Sequence, residues 1–347
     1  MNRTEDLPVG LTRRRIAMAI PLLGCAVWGS AVRASTARAH PLVQRDSRAL
    51  MGTQVDIVVE SGDISALLPA LEQAWSEMTR LSKMMSRYDA DSTVSAINQA
   101  AGVHAVSITP ELLGVLKAAR NISTQSEGAF DITVGTLKGW RFDGNQTTVP
   151  AAEVIEYQRR LVNYRELRLD ERVGTAYLNK RDMALDLGGV AKLPILEAGM
   201  GVLKRHGIVN AMINGGGDVL VAGRLQGRPW RVGLRDPRAP QQLIGVLALE
   251  GQALVASSGD YERFFMYRGE RQHHILDPAT GRPTHGPHGV SLLARDAASV
   301  NGLGAAMMVL GANAGRALIN SRPGVEALIV DRDQSVWRSQ GMAAALT

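Results

Sequence analysis

Cysteine is nearly missing: the 347-residue chain has one, Cys25. Beyond it no disulfide, thiolate metal site or cysteine nucleophile can form. Aromatic residues make up only 4% of the chain. Dense basic runs are also lacking. Of the formal net charge of +6, residues 1–39 carry +4 through Arg3, Arg13, Arg14, Arg15, Arg33 and Arg38 against Glu5 and Asp6. The rest is near neutral with no basic-aromatic interleaving, which argues against a nucleic-acid partner. Neither G-x-G-x-x-G nor the phosphate-loop pattern occurs, nor the G-x-S-x-G of a serine hydrolase. With no His-x-x-x-His pair and no carboxylate cluster, a metal ion would have to draw on backbone carbonyls and isolated oxygens, as Mg²⁺ often does.

The first 39 residues have the layout of an export signal. Thr12-Arg13-Arg14-Arg15-Ile16 leads into an apolar run from Ile16 to Val32, and Ala37-Arg38-Ala39 offers a small-x-small cleavage site. The paired arginines point to the twin-arginine route, used by proteins that fold before export, often around a cofactor. Cys25, in Leu22-Leu23-Gly24-Cys25, also allows a lipid anchor. The expected organisation is a signal over 1–39 and a globular body over 40–347, with possible sub-lobes 40–150 and 151–347.

Along the body, Ala49–Val59 alternates like a strand, with Gly52 permitting a close backbone approach. Ile64–Met85 spaces Leu67, Leu71, Trp75, Met78 and Leu81 for an amphipathic helix. Thr109-Pro110 starts another, running to about Ser126. A helix follows Asp186–Lys192, and a late one is expected over Asn301–Leu310. Long helices between mostly hairpin-linked strands predict an α+β or mixed α/β fold, not a doubly wound parallel sheet.

Several residues are candidates for chemistry. The turns Gly188-Gly189 and Gly215-Gly216-Gly217 would offer N–H groups to phosphate, or serve as plain turns, with Lys192 beside the first. Ser86-Arg87-Tyr88 and Phe130-Asp131 fit the walls of a ring site, or a helix end and a turn. His273 and His274 near Asp277 suit acid/base chemistry, or a strand edge with one imidazole facing the core and the other solvent.

Taken in order, these islands resemble the ApbE family of flavin transferases. The motifs are MGT at 51–53, SRYDADSTVSAIN at 86–98, GAFDITVG at 128–135, LDLGGVAK at 185–192, INGGGDV at 213–219, SSGDYERFF at 257–265 and HHILDPATGRP at 273–283. The resemblance implies a bilobed fold with a ligand cleft between the lobes, holding FAD as donor substrate. A Thr or Ser hydroxyl of an exported client protein takes the FMN and AMP leaves, in the periplasm, with Mg²⁺. It further implies that His274 and Asp277 serve catalysis. Met51, Tyr88, Asp131, Gly188, Gly189, Lys192, Asp218, Ser258 and Gly259 would bind the flavin nucleotide, and Ala191, Asn301 and Ala305 occupy the metal positions.

The chain departs from the family pattern at three places. Where the family reads A-D-x-x-x-T, this sequence has Val300-Asn301-Gly302-Leu303-Gly304-Ala305, without the carboxylate and the hydroxyl. Where it reads A-K-G-Y-A-x-D, the chain has Ala191-Lys192-Leu193-Pro194-Ile195-Leu196-Glu197, and Ser257 stands where Thr is common. The second reading, which Asn301, Ala305 and Leu193 support, is a catalytically weak flavin-binding accessory protein of the same family; Ser257 is neutral in this respect.

Overall fold

Val55, Ile57 and Val59 are fully buried on one face of a strand while Val58 is buried on the other, so this strand is covered on both sides. The computed structural model describes residues 42–347, which form one compact unit; residues 1–39, where an export signal is expected, lie outside them. The main sheet contains β1 (Leu42–Leu50), β2 (Thr53–Ser61), β3 (Asn210–Gly215), β4 (Asp218–Ala222), β5 (Ala253–Gly259), β6 (Gly289–Ala294), β7 (Glu326–Val330) and β8 (Val336–Arg338). Its eight strands lie side by side in that order, and every neighbouring pair is antiparallel. The α+β expectation holds.

One face of the sheet carries Ile57, Ile213, Leu220, Leu254, Leu292 and Ile329. These pack with helices α1 (Ile64–Met85), α2 (Pro110–Gln125), α3 (Lys192–Arg205) and α4 (Leu303–Leu310), the last followed by α5 (Ala312–Asn320). The opposite face, with Val58, Val219, Val221, Val255 and Leu328, is covered by the hairpin 230–249 through Trp230, Val232 and Leu247. Period-two alternation along the strands assigns each side chain to one of these two cores.

Two sequence expectations are corrected. The single strand over Ala49–Val59 is a hairpin, because Met51 (φ 54°) and Gly52 (φ 71°) both take left-handed conformations and reverse the chain. The late helix begins at Leu303 rather than Asn301, since Gly302 at φ 77° interrupts the helical geometry and leaves Asn301 in the turn before it. The 150/151 boundary is crossed by a small sheet in which residues 106–107 pair with 175–178, and these with 167–170.

The GAFDITVG motif has a packing role in this frame. A Cβ on Gly135 would lie 2.5 Å from the backbone carbon of Leu185 and 2.6 Å from its oxygen. Gly135→Ala is therefore expected to cost about 1–3 kcal/mol by forcing the two backbones apart. An unchanged urea midpoint would contradict this close approach.

Candidate active site

Antiparallel pairing brings three of the motifs, MGT, INGGGDV and SSGDYERFF, to one end of the sheet. Thr53 opens β2, Gly215 closes β3, Asp218 opens β4 and Gly259 closes β5, opposite Gly289 at the start of β6. The β1–β2 turn and the β3–β4 turn touch: a Cβ on Gly216 would meet Thr53 Oγ1 at 2.5 Å, so only glycine lets them close. An open depression of about 630 Å³ lies against the first of these turns, lined by residues 47–54 of the β1–β2 hairpin alone.

Asp218 ties this end together. Its buried carboxylate accepts Lys192 Nζ at 2.6 Å through Oδ2 and the backbone N–H of Ser257 at 3.0 Å through Oδ1. The start of α3 is thereby fixed to two strand ends. Ser258 packs on α4, where a Cβ at Gly304 would come within 2.7 Å of its Oγ.

The glycine turn before Lys192 is held from the other side. Asp186 accepts Arg87 at 3.0 Å on Oδ2 and the N–H of Gly188 at 2.8 Å on Oδ1. Asn98 bonds both the N–H and the carbonyl of Leu185, at 2.7 and 3.1 Å. Leu193, standing where the family has glycine, is 5% exposed and lies in the core, so its side chain does not crowd the turn. Glu197 Oε1 accepts the N–H of Ala297 at 3.2 Å and so steadies the loop leading to Asn301.

His274 follows the short hairpin 264–273. Its Nδ1 lies 3.3 Å from the carbonyl oxygen of Arg263, which can only accept. The ring proton therefore sits on Nδ1, and Nε2 keeps its lone pair. The residue keeps a partly exposed edge, but burial of the ring, reinforced by Arg263, His273 and Lys192, pushes its pKa down to about 3. Phe142 stands edge-on to the imidazole with centroids 6.5 Å apart, inside a cluster with Trp140 and Phe265. His273 is the core-facing member of the pair, its Nε2–H donating to Thr284 O at 3.0 Å. Asp277 accepts the N–H of Ala279 on Oδ1 while its carbonyl accepts that of Gly281, closing the turn after the histidines.

Not every expected residue takes part. Asp131, expected at the polar edge of a ligand, is turned into its own loop: Oδ1 accepts the N–H and Oγ1 of Thr133, and Oδ2 the N–H of Tyr164, each at 2.7 Å. Burial raises its pKa against the pull of those hydrogen bonds. Tyr88 is 76% exposed, with the Arg87 guanidinium 5.1 Å from its ring centre. Phe142, Asn98 and Asp186 were not singled out from sequence; Asn98 and Asp186 stand inside quoted motifs, whereas Phe142 carries no local signal.

A sequence model of the ApbE family matches residues 51–329. The chain belongs to the ApbE family. An FAD:protein FMN transferase of Klebsiella pneumoniae is 32% identical over 268 residues, covering 74% of this chain and 83% of that one. One from Treponema pallidum is 30% identical over 289 residues, covering 79% and 80%. The solved ApbE protein of Thermotoga maritima aligns with a TM-score of 0.80 at 32% identity, covering 88% of this chain and all of that one. The flavin transferase ApbE of Vibrio cholerae gives a TM-score of 0.76 at 25% identity, covering the same share of this chain.

The Mg²⁺ that an ApbE resemblance implies does not fit the residues here. Ala191, Asn301 and Ala305 contribute no carboxylate and no side-chain hydroxyl, and Asn301 turns its Nδ2, a donor, toward the carbonyl oxygen of Val190. Among the described residues, no group of three His, Cys, Asp or Glu is placed to hold a metal.

The depressed pKa of His274 sets a pH dependence. Unfolded imidazole takes its proton below about 6.5, but the folded one holds none until about 3. Between these values the unfolded state binds the extra proton, so stability is lost as pH falls through this window. NMR should show a neutral His274 ring at about pH 5, well below the unperturbed imidazole value. A titration midpoint at the unperturbed value would contradict the described environment.

Proposed function

We propose that the protein is an exported FMN transferase that moves FMN from FAD to a Thr or Ser hydroxyl of a client protein. The observation that carries this is His274: a neutral imidazole with Nε2 free, beside the sheet end where Lys192, Asp218 and the glycine turns gather. Phosphoryl transfer asks a protein mainly to position groups and to manage charge and one proton. In the proposed step the client hydroxyl oxygen forms a bond to the FMN phosphorus of FAD. The bond from that phosphorus to the bridging oxygen breaks, AMP leaves with that oxygen, and the hydroxyl proton passes to Nε2 of His274. The Arg263 carbonyl holds the ring for this transfer, while Asp277 shapes the turn that follows it. Lys192, kept in place by Asp218, supplies positive charge near the phosphates.

Sequence similarity supports the same assignment, since relatives named FAD:protein FMN transferase align over most of their length with this chain. Export through the twin-arginine leader, and with it a periplasmic client, belongs to the same proposal and rests on Arg13, Arg14 and the apolar run after them.

Incubating the protein with FAD and a candidate exported client should add the mass of FMN less one water to one Thr or Ser. His274→Gln should slow that transfer by about 10²–10⁴-fold, the usual contribution of a positioned base. FAD binding without any mass gain would favour the accessory-protein reading that Asn301 and Ala305 raise. Changing Arg13 and Arg14 to Lys should leave the precursor in the cytoplasm; normal export of that variant would rule out the twin-arginine route.

A further inference from the structure

The turn at Val190 and the loop at Asn301 come from segments 111 residues apart and are joined by a side-chain hydrogen bond. Asn301 Nδ2 donates to the carbonyl oxygen of Val190 at 2.9 Å. The assignment of the amide is fixed by its partner: the reverse orientation would bring two acceptor oxygens together. A carboxylate at this position would face the same repulsion, relieved by a cation between the two oxygens, by a proton, or by turning away from the carbonyl. An amide meets the carbonyl with no ion at all.

The surroundings agree. Ala305 presents a methyl group toward Gly189, 3.9 Å from where a Cβ on that glycine would stand, so no hydroxyl faces the turn. Carboxylates elsewhere in the neighbourhood are engaged. Asp186 holds Arg87 and Gly188, Asp218 holds Lys192 and Ser257, and Glu197 holds Ala297. Asp296 caps Ser299 N–H at 2.9 Å, and His288 is bonded to Asp260 at 2.8 Å. Asp186 and Asp218 are engaged through both oxygens, whereas Glu197 and Asp296 use one oxygen each and His288 one ring nitrogen.

We propose that the active site of this chain is assembled without a divalent cation, the Asn301 amide closing directly on the Val190 carbonyl in the cation's place. The proposal rests on the transferase reading for the identity of the site. It concerns how the 188–191 turn is joined to the loop before α4, and that joint is measurable without FAD or client.

The test uses the full chain, Mn²⁺ as a paramagnetic probe, and thermal unfolding in EDTA and in millimolar Mg²⁺. Wild type should bind no Mn²⁺ saturably by EPR and should melt at the same temperature in both buffers. Asn301→Asp should melt several degrees lower in EDTA and recover with Mg²⁺, and adding Ala305→Thr should create a saturable Mn²⁺ site. Saturable Mn²⁺ binding by wild type, or a wild-type melting temperature raised by Mg²⁺, would overturn the proposal. So would an Asn301→Asp protein as stable in EDTA as wild type. If that variant does not fold, the two wild-type measurements still decide the matter. A protein that fails to transfer FMN yet behaves as described would count against the transferase reading and not against this one.

Discussion

The buried carboxylate of Asp218 is the constraint on which the rest of the site depends. It stands at the first position of β4, accepts the Lys192 ammonium from the start of α3 and accepts the Ser257 N–H from the end of β5. A carboxylate so far from water needs these partners, because an unpaired buried charge costs several kcal/mol. The requirement works in both directions. It holds Lys192 at the sheet end instead of letting it reach into solvent, and it sets where α3 begins, and so where the glycine turn before it lies. Arg87 and Asn98 secure the other side of that turn, so it is fixed from two directions before any ligand arrives.

The charge arrangement around His274 follows from the same placement. Lys192 and Arg263 bear on a poorly hydrated ring, and both disfavour its protonation. In isolation that makes a weak base. The site, however, is proposed for a dianionic pyrophosphate, whose negative charge would offset the two cations and strengthen the imidazole as a proton acceptor when it is needed. The metal positions fit a site tuned by fixed protein groups: an amide-carbonyl contact replaces a carboxylate, and Leu193 and Glu197, which depart from the family pattern, serve the core and the adjoining loop.

Much of the fold was legible because its signals are local. The apolar spacing from Leu67 to Leu81 marks a helix with no further information, and the Thr109-Pro110 start is a cap readable in two residues. The motifs were legible as islands, and the antiparallel order of the strands then gathers three of them at one end. What sequence could not supply was long-range or conformational. Nothing near Met51 announces that a methionine will adopt a left-handed backbone, so one strand was read where a hairpin stands. Gly302 is as compatible with a helix interior as with the turn it makes, which displaced the start of α4. The partners of Asp131 and Asn98 lie up to 87 residues away, so a carboxylate that serves its own loop looked like one available to a ligand.

The central claim, a flavin transferase whose site is built without a divalent cation, is tested most directly by single-turnover transfer of FMN from FAD to the client in the presence of EDTA. The account predicts covalent FMN on a client hydroxyl at the same rate with EDTA as with Mg²⁺. Transfer that occurs only when Mg²⁺ is restored would contradict it.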